Sequence, residues 1–249
     1  MSFEGKVAIV TGAARGLGRD YARGFAADGA SVVIADVLGD LAEETAQEIR
    51  KSGGKALAIA VDVADVASTC AMADRTVAEF GRLDILVNNA AVWGDLESSP
   101  MMQVKADYWD KVMAVNLKGP LLCTQACVPH MQKNNWGRII NISSMGAIMR
   151  GGPYGTSKIG LNHMTFTLAH ELGDLGITVN AIGPGATYNE ATKAQVPEAV
   201  FQMLIAQQSV KRPGQSSDFY NAMRYLCSDG AAWVTGQTLY VNGGFNTSF

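Results

Sequence analysis

The stretch that decides the fold is Val7-Ala8-Ile9-Val10-Thr11-Gly12-Ala13-Ala14-Arg15-Gly16-Leu17-Gly18. Its four leading apolar residues are typical of a buried parallel strand, and helical spacing begins after the last glycine, near Arg19. A glycine-rich turn between a strand and a helix presents backbone N–H groups and the positive end of the helix to a pyrophosphate. Three residues separate the first two glycines, so the spacing differs from GxGxxG. We therefore predict a phosphate-binding turn here.

The same alternation of short apolar runs and helical stretches continues along the chain. Strands are predicted at residues 7–10, 31–35, 56–61, 85–87, 138–142 and 177–182, and helical spacing at residues 18–27, 41–51 and 66–80. Glycines mark the helix ends at Gly29, Gly53, Gly81 and Gly176. This order predicts an α/β fold, a doubly wound parallel sheet with helices on both faces, formed by one domain over residues 1–249.

The least regular region covers residues 183–218, after the sixth predicted strand. Pro184, Pro197 and Pro213 flank a helical stretch at residues 198–208. Loops at the carboxyl ends of strands line the ligand crevice in sheets of this type. We therefore predict that this region is a substrate-binding lid.

Composition excludes several classes of protein. A chain of 249 residues, 48% hydrophobic, with a net charge of −3, suits a single domain with a large core and offers no basic surface for nucleic acid. The first residues lack the pattern of a signal peptide, and no apolar run of about 18 residues appears. We expect a cytoplasmic protein without a membrane partner. Cys123 and Cys127 are interpreted as core packing, and no metal site is expected.

Asp36 at the end of the second predicted strand favours NAD as the cofactor. An acidic side chain at this position accepts hydrogen bonds from the adenosine ribose. Facing a 2′-phosphate about 5 Å away, it would cost about 3 kcal/mol per charge pair at an effective dielectric near 20. Arg15 is the dissenting residue, because a base in the glycine-rich turn can reach a 2′-phosphate.

Tyr154 and Lys158 form a candidate catalytic pair. A separation of four residues places both side chains on one face of a helix. To act as a base near neutral pH, the phenol needs a pKa lowered from about 10 to roughly 7 or 8. An ammonium about 4 Å away supplies an interaction of comparable size at an effective dielectric of 20.

Taken together, these residues resemble the short-chain dehydrogenase/reductase family along essentially the whole chain. In chain order, the family's motifs match Thr11 to Gly18, Asp62-Val63, Asn88-Asn89-Ala90-Ala91, Asn116, Asn141-Ile142-Ser143-Ser144, Tyr154 with Lys158, Pro184-Gly185 and Gly236 to Gly244. The resemblance implies a Rossmann-type sheet of about seven strands in the order 3-2-1-4-5-6-7.

The resemblance also implies residue roles. Tyr154 would exchange a proton with the substrate oxygen and Ser144 would hydrogen-bond that oxygen. Lys158 would lower the tyrosine pKa and hold the nicotinamide ribose, and Asn116 would anchor a water that relays protons to Lys158. The implied cofactor-binding residues are Gly12, Arg15, Gly16, Leu17, Gly18, Asp36, Asp62, Val63, Asn89, Ala90, Tyr154, Lys158, Pro184, Thr187 and Asn189.

Two departures from the family pattern leave questions open. Ser144 and Tyr154 are ten positions apart, whereas about thirteen are usual, so either the loop is shortened or Ser143 takes the role. We favour Ser144, the second serine of the pair. Ala91 replaces the family's glycine, and alanine tolerates most but not all glycine conformations.

The expected substrate pocket is mainly apolar. We expect it to be lined by Trp93, Met145, Met149, Tyr188, Met203 and Leu204. Such a lining favours a hydrophobic or alicyclic secondary alcohol or ketone, whereas Arg150 leaves an acidic substrate open. The expected activity is therefore NAD-dependent hydride transfer.

Two alternatives to this activity are an NADP-linked reductase, for example of 3-oxoacyl thioesters, and a catalytically silent NAD-binding sensor or scaffold. The apolar helical stretches at residues 112–131 and 159–172, together with the resemblance, predict a homotetramer or a dimer.

Overall fold

The computed structural model describes residues 2–93, 100–187 and 196–245, and its centre is a parallel sheet of seven strands. The strands are β1 (Val7–Thr11), β2 (Ser31–Asp36), β3 (Lys55–Ala60), β4 (Ile85–Asn88), β5 (Gly137–Ile142), β6 (Ile177–Pro184) and β7 (Thr238–Val241). Their order is β3-β2-β1-β4-β5-β6-β7, and every pair is parallel. The predicted fold class and strand order are confirmed.

Helices cover both faces of this sheet. They are α1 (Gly16–Ala27), α2 (Gly39–Lys51), α3 (Val66–Phe80), α4 (Ala106–Met113), α5 (Gly119–Gln132), α6 (Pro153–Leu172), α7 (Glu198–Gln207) and α8 (Ser216–Leu226), with a π-helical segment Ala114–Lys118 between α4 and α5. Successive residues of β1 point to opposite faces. Val10 packs with Phe25 of α1 and Phe219 of α8, whereas Ile9 packs in the cluster formed with α3, α5 and α6.

The boundaries predicted from the sequence for β1 to β6 and for α1 to α3 agree with the structure to within two residues. Gly81 and Gly176 have φ of +77° and +71° at helix ends, where a side chain would strain the backbone. Cys123 and Cys127 are fully buried, and burial raises the pKa of the Cys123 thiol to about 12, which confirms the packing interpretation. None of the described helices is long and apolar enough to cross a bilayer.

The predicted lid contains the end of β6, helix α7 and the start of α8, while residues 188–195 lie outside the described part. Helix α7 packs through Phe201 and Ile205 against Met145 and Ala186. Met145 follows β5 and Ala186 follows β6, so α7 lies over the carboxyl ends of these strands.

Candidate active site

The turn after β1 is built for close approach of backbones. A Cβ at Gly12, where φ is +64°, would lie 2.7 Å from the Cα of Ala90, and a Cβ at Gly18 would lie 2.2 Å from the carbonyl oxygen of Gly12. Neither distance is compatible with a side chain. A Cβ at Gly16 would meet nothing within 4 Å, so the outer side of the turn is open at the start of α1. An open turn of N–H groups at a helix start fits a pyrophosphate.

Asn89 and Thr11 tie this turn to the end of β4. The Asn89 side-chain amide donates to the carbonyl oxygens of Thr11 (2.9 Å) and Gly12 (3.0 Å). The Thr11 hydroxyl accepts from the backbone N–H groups of Asn89 (3.0 Å) and Ala90 (3.1 Å). In this structure the Asn89 amide therefore orders the glycine-rich turn from Thr11 to Gly18, called the cradle below. Sequence reasoning assigned no separate role to Thr11, and its place at the last residue of β1 was the available signal.

Asp36 lies at the end of β2, beside the same turn, and is 9% exposed. One carboxylate oxygen accepts from the N–H of Ala14 and the other from the N–H of Leu38, both at 3.0 Å. These two bonds fix the carboxylate in the cradle. Each oxygen keeps a further lone pair, so the group can still accept from a ribose hydroxyl.

The remaining cofactor candidates that the structure describes lie at or after the ends of β1, β3 and β6. Arg15 is exposed in the turn, Leu17 is partly buried on α1, and Asp62 is exposed after β3, where its carboxylate accepts from the N–H of Ala64 at 2.9 Å. Val63 is buried, and its side chain is 2.8 Å from where a Cβ on Gly119 would lie.

At the carboxyl end of the sheet, Pro184 is the last residue of β6, and Thr187, three residues later, forms a β-bridge with Gly214. Asn189 lies outside the described residues.

Tyr154 and Lys158 both lie on the first turns of α6, which begins at Pro153. The Lys158 ammonium donates to the carbonyl oxygen of Ile142 at 2.7 Å and lies 5.6 Å from the centre of the Tyr154 ring. Burial raises the pKa of Tyr154 to about 12 and lowers the pKa of Lys158 to about 8. The pKa of the phenol therefore departs in the direction opposite to the lowering expected from Lys158, because desolvation by burial is the largest influence on it. At neutral pH the phenol is protonated.

Ser144 lies beside Tyr154, because a Cβ on Gly146 would lie 3.3 Å from both the Ser144 Oγ and the Tyr154 Cε1. A side-chain hydrogen bond with Ser144 lowers the pKa of Tyr154 and so opposes the effect of burial. The Ser144 hydroxyl also accepts from the N–H of Gly146 at 3.0 Å, at the start of a single 3₁₀ turn, Met145–Ala147. The hydroxyl of Ser143 is buried without a partner among the described residues. The ten-residue separation is thus long enough to bring Ser144 to Tyr154.

Asn116 lies in the π-helical segment and is fully buried. Its side chain accepts from the N–H of Val92 at 2.7 Å and donates to the hydroxyl of Ser157 at 3.2 Å. Ser157 donates in turn to the carbonyl oxygen of Tyr154 at 2.7 Å. Isolated π turns are frequent at functional sites. Sequence reasoning missed Ser157, although its position directly before Lys158 on a helix was a usable signal.

The predicted substrate pocket is assembled in part. The Trp93 ring lies 4.9 Å from the Tyr154 ring, centre to centre, with the two planes 50° apart. Met145 is buried against the lid, with Leu204 packed on the same cluster, whereas Met149 and Met203 are 37% and 53% exposed. Tyr188 lies outside the described residues.

Ala91 fits its turn without strain, because Asn135 is the one non-glycine residue with a positive φ in the described ranges.

Within the same ranges, no group of three or more His, Cys, Asp or Glu side chains is arranged to hold a metal ion.

Comparison with known proteins gives consistent matches over the whole chain. A family model described as Enoyl-(Acyl carrier protein) reductase matches residues 12–246. An uncharacterized oxidoreductase of Mycobacterium tuberculosis is 43% identical, covering 97% of this chain and 98% of the relative. A 3-oxoacyl-[acyl-carrier-protein] reductase of Staphylococcus aureus is 41% identical over 96% and 97% of the two chains.

One solved structure is similar to nearly the full length of the chain. It is a 7 alpha-hydroxysteroid dehydrogenase complexed with NADH and 7-oxo glycochenodeoxycholic acid. It superposes with a TM-score of 0.93 at 34% identity, covering 99% of this chain and 96% of that one. At this identity the likeness supports a shared family as well as a shared fold.

Proposed function

The chain belongs to the short-chain dehydrogenase/reductase family of oxidoreductases, and we propose that it transfers a hydride between NAD(H) and a secondary alcohol or the corresponding ketone. The proposal rests on two observations: Tyr154 and Lys158 share one helix, and Ser144 lies beside Tyr154, since a Cβ on Gly146 would lie 3.3 Å from both the Ser144 Oγ and the Tyr154 Cε1. Two hydroxyl groups that converge on one point can bind a carbonyl oxygen as negative charge develops on it.

Each of these residues has a separate task in the proposed reaction. Bound nicotinamide would supply or accept the hydride. In ketone reduction, the Tyr154 hydroxyl gives its proton to the substrate oxygen while the Ser144 hydroxyl donates a hydrogen bond to that oxygen. In alcohol oxidation, the ionised Tyr154 accepts the proton. Lys158, anchored on Ile142, would hold the nicotinamide ribose, and Asn116 would order the helix that carries the pair.

The cradle after β1 supports NAD in preference to NADP. Asp36 is fixed by Ala14 and Leu38 where an adenosine ribose would lie, and a 2′-phosphate there would face its negative charge. Arg15 is exposed in the same turn and supports the alternative, an NADP-linked reductase of 3-oxoacyl thioesters or other carbonyls. Competitive titration with both cofactors distinguishes the two, and we expect NAD to bind at least about tenfold more tightly.

The lining of the pocket supports a hydrophobic or alicyclic substrate. Trp93 and Met145 are apolar, and the similar 7 alpha-hydroxysteroid dehydrogenase structure is complexed with 7-oxo glycochenodeoxycholic acid. A silent NAD-binding sensor is disfavoured because Tyr154, Lys158, Ser144 and Asn116 are all present and adjacent. The test is the absorbance of reduced nicotinamide on mixing the protein with NAD and a panel of secondary alcohols. Binding of NAD without any change in absorbance across the panel would favour the sensor.

We also propose that the protein is a cytoplasmic homotetramer or dimer. Ile159 and Phe166 on α6 are 49% and 64% exposed, and a separate, mainly apolar groove is lined by residues that include Met113, Leu117 and Met164. Exposed apolar surface of this extent supports burial between subunits.

A further inference from the structure

Trp93 is the described pocket residue whose ring contacts the Tyr154 ring. The rings are 4.9 Å apart between centres and tilted by 50°, an arrangement within the favourable range for aromatic pairs. The indole remains partly exposed. One part of its surface therefore contacts the phenol ring, and another part is free to contact a ligand.

A chain of hydrogen bonds links the backbone next to Trp93 to the backbone of Tyr154. The Asn116 amide binds both backbone groups of Val92, the residue before Trp93, at 2.7 Å for the N–H and 3.4 Å for the carbonyl. The same amide donates to Ser157, which donates to the carbonyl oxygen of Tyr154. Asn116 and Ser157 are fully buried, so water does not compete for these bonds. The backbone beside Trp93 and the backbone of Tyr154 are thus fixed relative to each other.

We propose that Trp93 determines substrate specificity, forming a fixed aromatic wall that selects alcohols and ketones whose reacting carbon belongs to a ring. The inference rests on the function proposed above and names its substrate class. A rigid ring system can lie along the wall with little loss of conformational freedom, whereas a flexible chain loses rotamer freedom when it is held there. A wall in register with Tyr154 also brings a ring carbonyl within reach of the phenol.

The test compares a bicyclic ketone and a linear ketone of equal carbon number, 2-decalone and 2-decanone, with the cofactor that the wild-type protein binds more tightly. The wild type should favour the bicyclic ketone in kcat/KM. Trp93→Leu should reduce the ratio of the two kcat/KM values by roughly tenfold, mainly by raising the KM for the bicyclic ketone, and Trp93→Phe should retain most of it. Because the wall contacts substrate and leaves the proton transfer to Tyr154, the pH profile of kcat should be unchanged.

Trp233→Leu is the matched control. Trp233 is fully exposed and precedes β7, an edge strand of the sheet, whereas Trp93 follows the central strand β4, so loss of Trp233 should leave the ratio unchanged. If circular dichroism shows that Trp93→Leu is unfolded, Trp93→Met replaces it. The inference is overturned if a folded Trp93 variant keeps the wild-type ratio, or if the wild type does not prefer the bicyclic ketone. Either result leaves the proposed function in place. A wild type that reduces no ketone with either cofactor overturns the proposed function and this inference with it.

Discussion

Replacing Lys158 with methionine should make the cofactor-free protein more stable at neutral pH while abolishing activity. Lys158 is 2% exposed, and burial lowers its pKa from 10.5 to about 8. The unfolded chain therefore binds more protons between pH 8 and 10.5, and stability rises with pH across that window. At pH 7 the buried ammonium destabilises the folded protein by about 3 kcal/mol, and at pH 10 by about 1 kcal/mol.

The assay is urea unfolding of wild type and Lys158→Met at pH 7 and at pH 10, followed by circular dichroism. The variant also loses the bond to Ile142, which costs about 1–3 kcal/mol at either pH, so the informative quantity is how the difference between the two proteins changes with pH. The free energy of unfolding of the variant minus that of wild type should be about 2–3 kcal/mol larger at pH 7 than at pH 10. Lys111→Met, at an exposed position on α4, reports the general effect of removing one positive charge. A difference between Lys158→Met and wild type that does not change with pH would show that burial does not lower the pKa of Lys158 in the folded protein.

Three further predictions concern cofactor choice, assembly and pH. Asp36→Ala combined with Val37→Arg should narrow or reverse the preference for NAD, measured as the ratio of the two dissociation constants, because the carboxylate that repels the 2′-phosphate is replaced by a neighbouring base. If the double variant still rejects NADP, other residues discriminate between the cofactors. Light scattering should give a dimer or tetramer of the 26.4 kDa chain, and Phe166→Glu should shift the mass towards monomer; a monomeric wild type would contradict the exposed apolar face. The kcat/KM of alcohol oxidation should rise from pH 7 to 10, because this direction needs the ionised Tyr154 and the pKa of Tyr154 is raised to about 12. The kcat/KM of ketone reduction should not rise over the same range, and a parallel rise would be inconsistent with Tyr154 as the proton donor.

The inner strands β1, β2, β4, β5 and β6 could be predicted from the sequence because they are buried on both faces. Residues such as Ile9, Val33 and Leu86 lie under helices, so these strands are short runs rich in apolar residues. The strand order came from the family resemblance, since periodicity carries no information on neighbours. The pairing of Tyr154 with Lys158 followed from helix geometry alone.

Electrostatics and contacts between distant segments could not be predicted in the same way. The opposite pKa directions of Tyr154 and Lys158 come from burial, which depends on packing by segments far apart in the chain. The link from Val92 through Asn116 to Ser157 likewise joins three elements. The choice of Ser144 over Ser143 required the path of the loop, because both serines follow the same strand.

Tyr154→Phe tests whether Tyr154 exchanges the proton while a hydride is transferred. The variant loses only a hydroxyl, so its unfolding midpoint and NAD affinity should stay close to wild type. Its turnover with the best alcohol of the panel, followed by the absorbance of reduced nicotinamide, should fall by roughly 10²–10⁴-fold. Tyr225→Phe, at a 43% exposed position on α8, is the matched control and should keep full turnover. Near-native turnover of Tyr154→Phe would contradict the account, because another group would then move the proton.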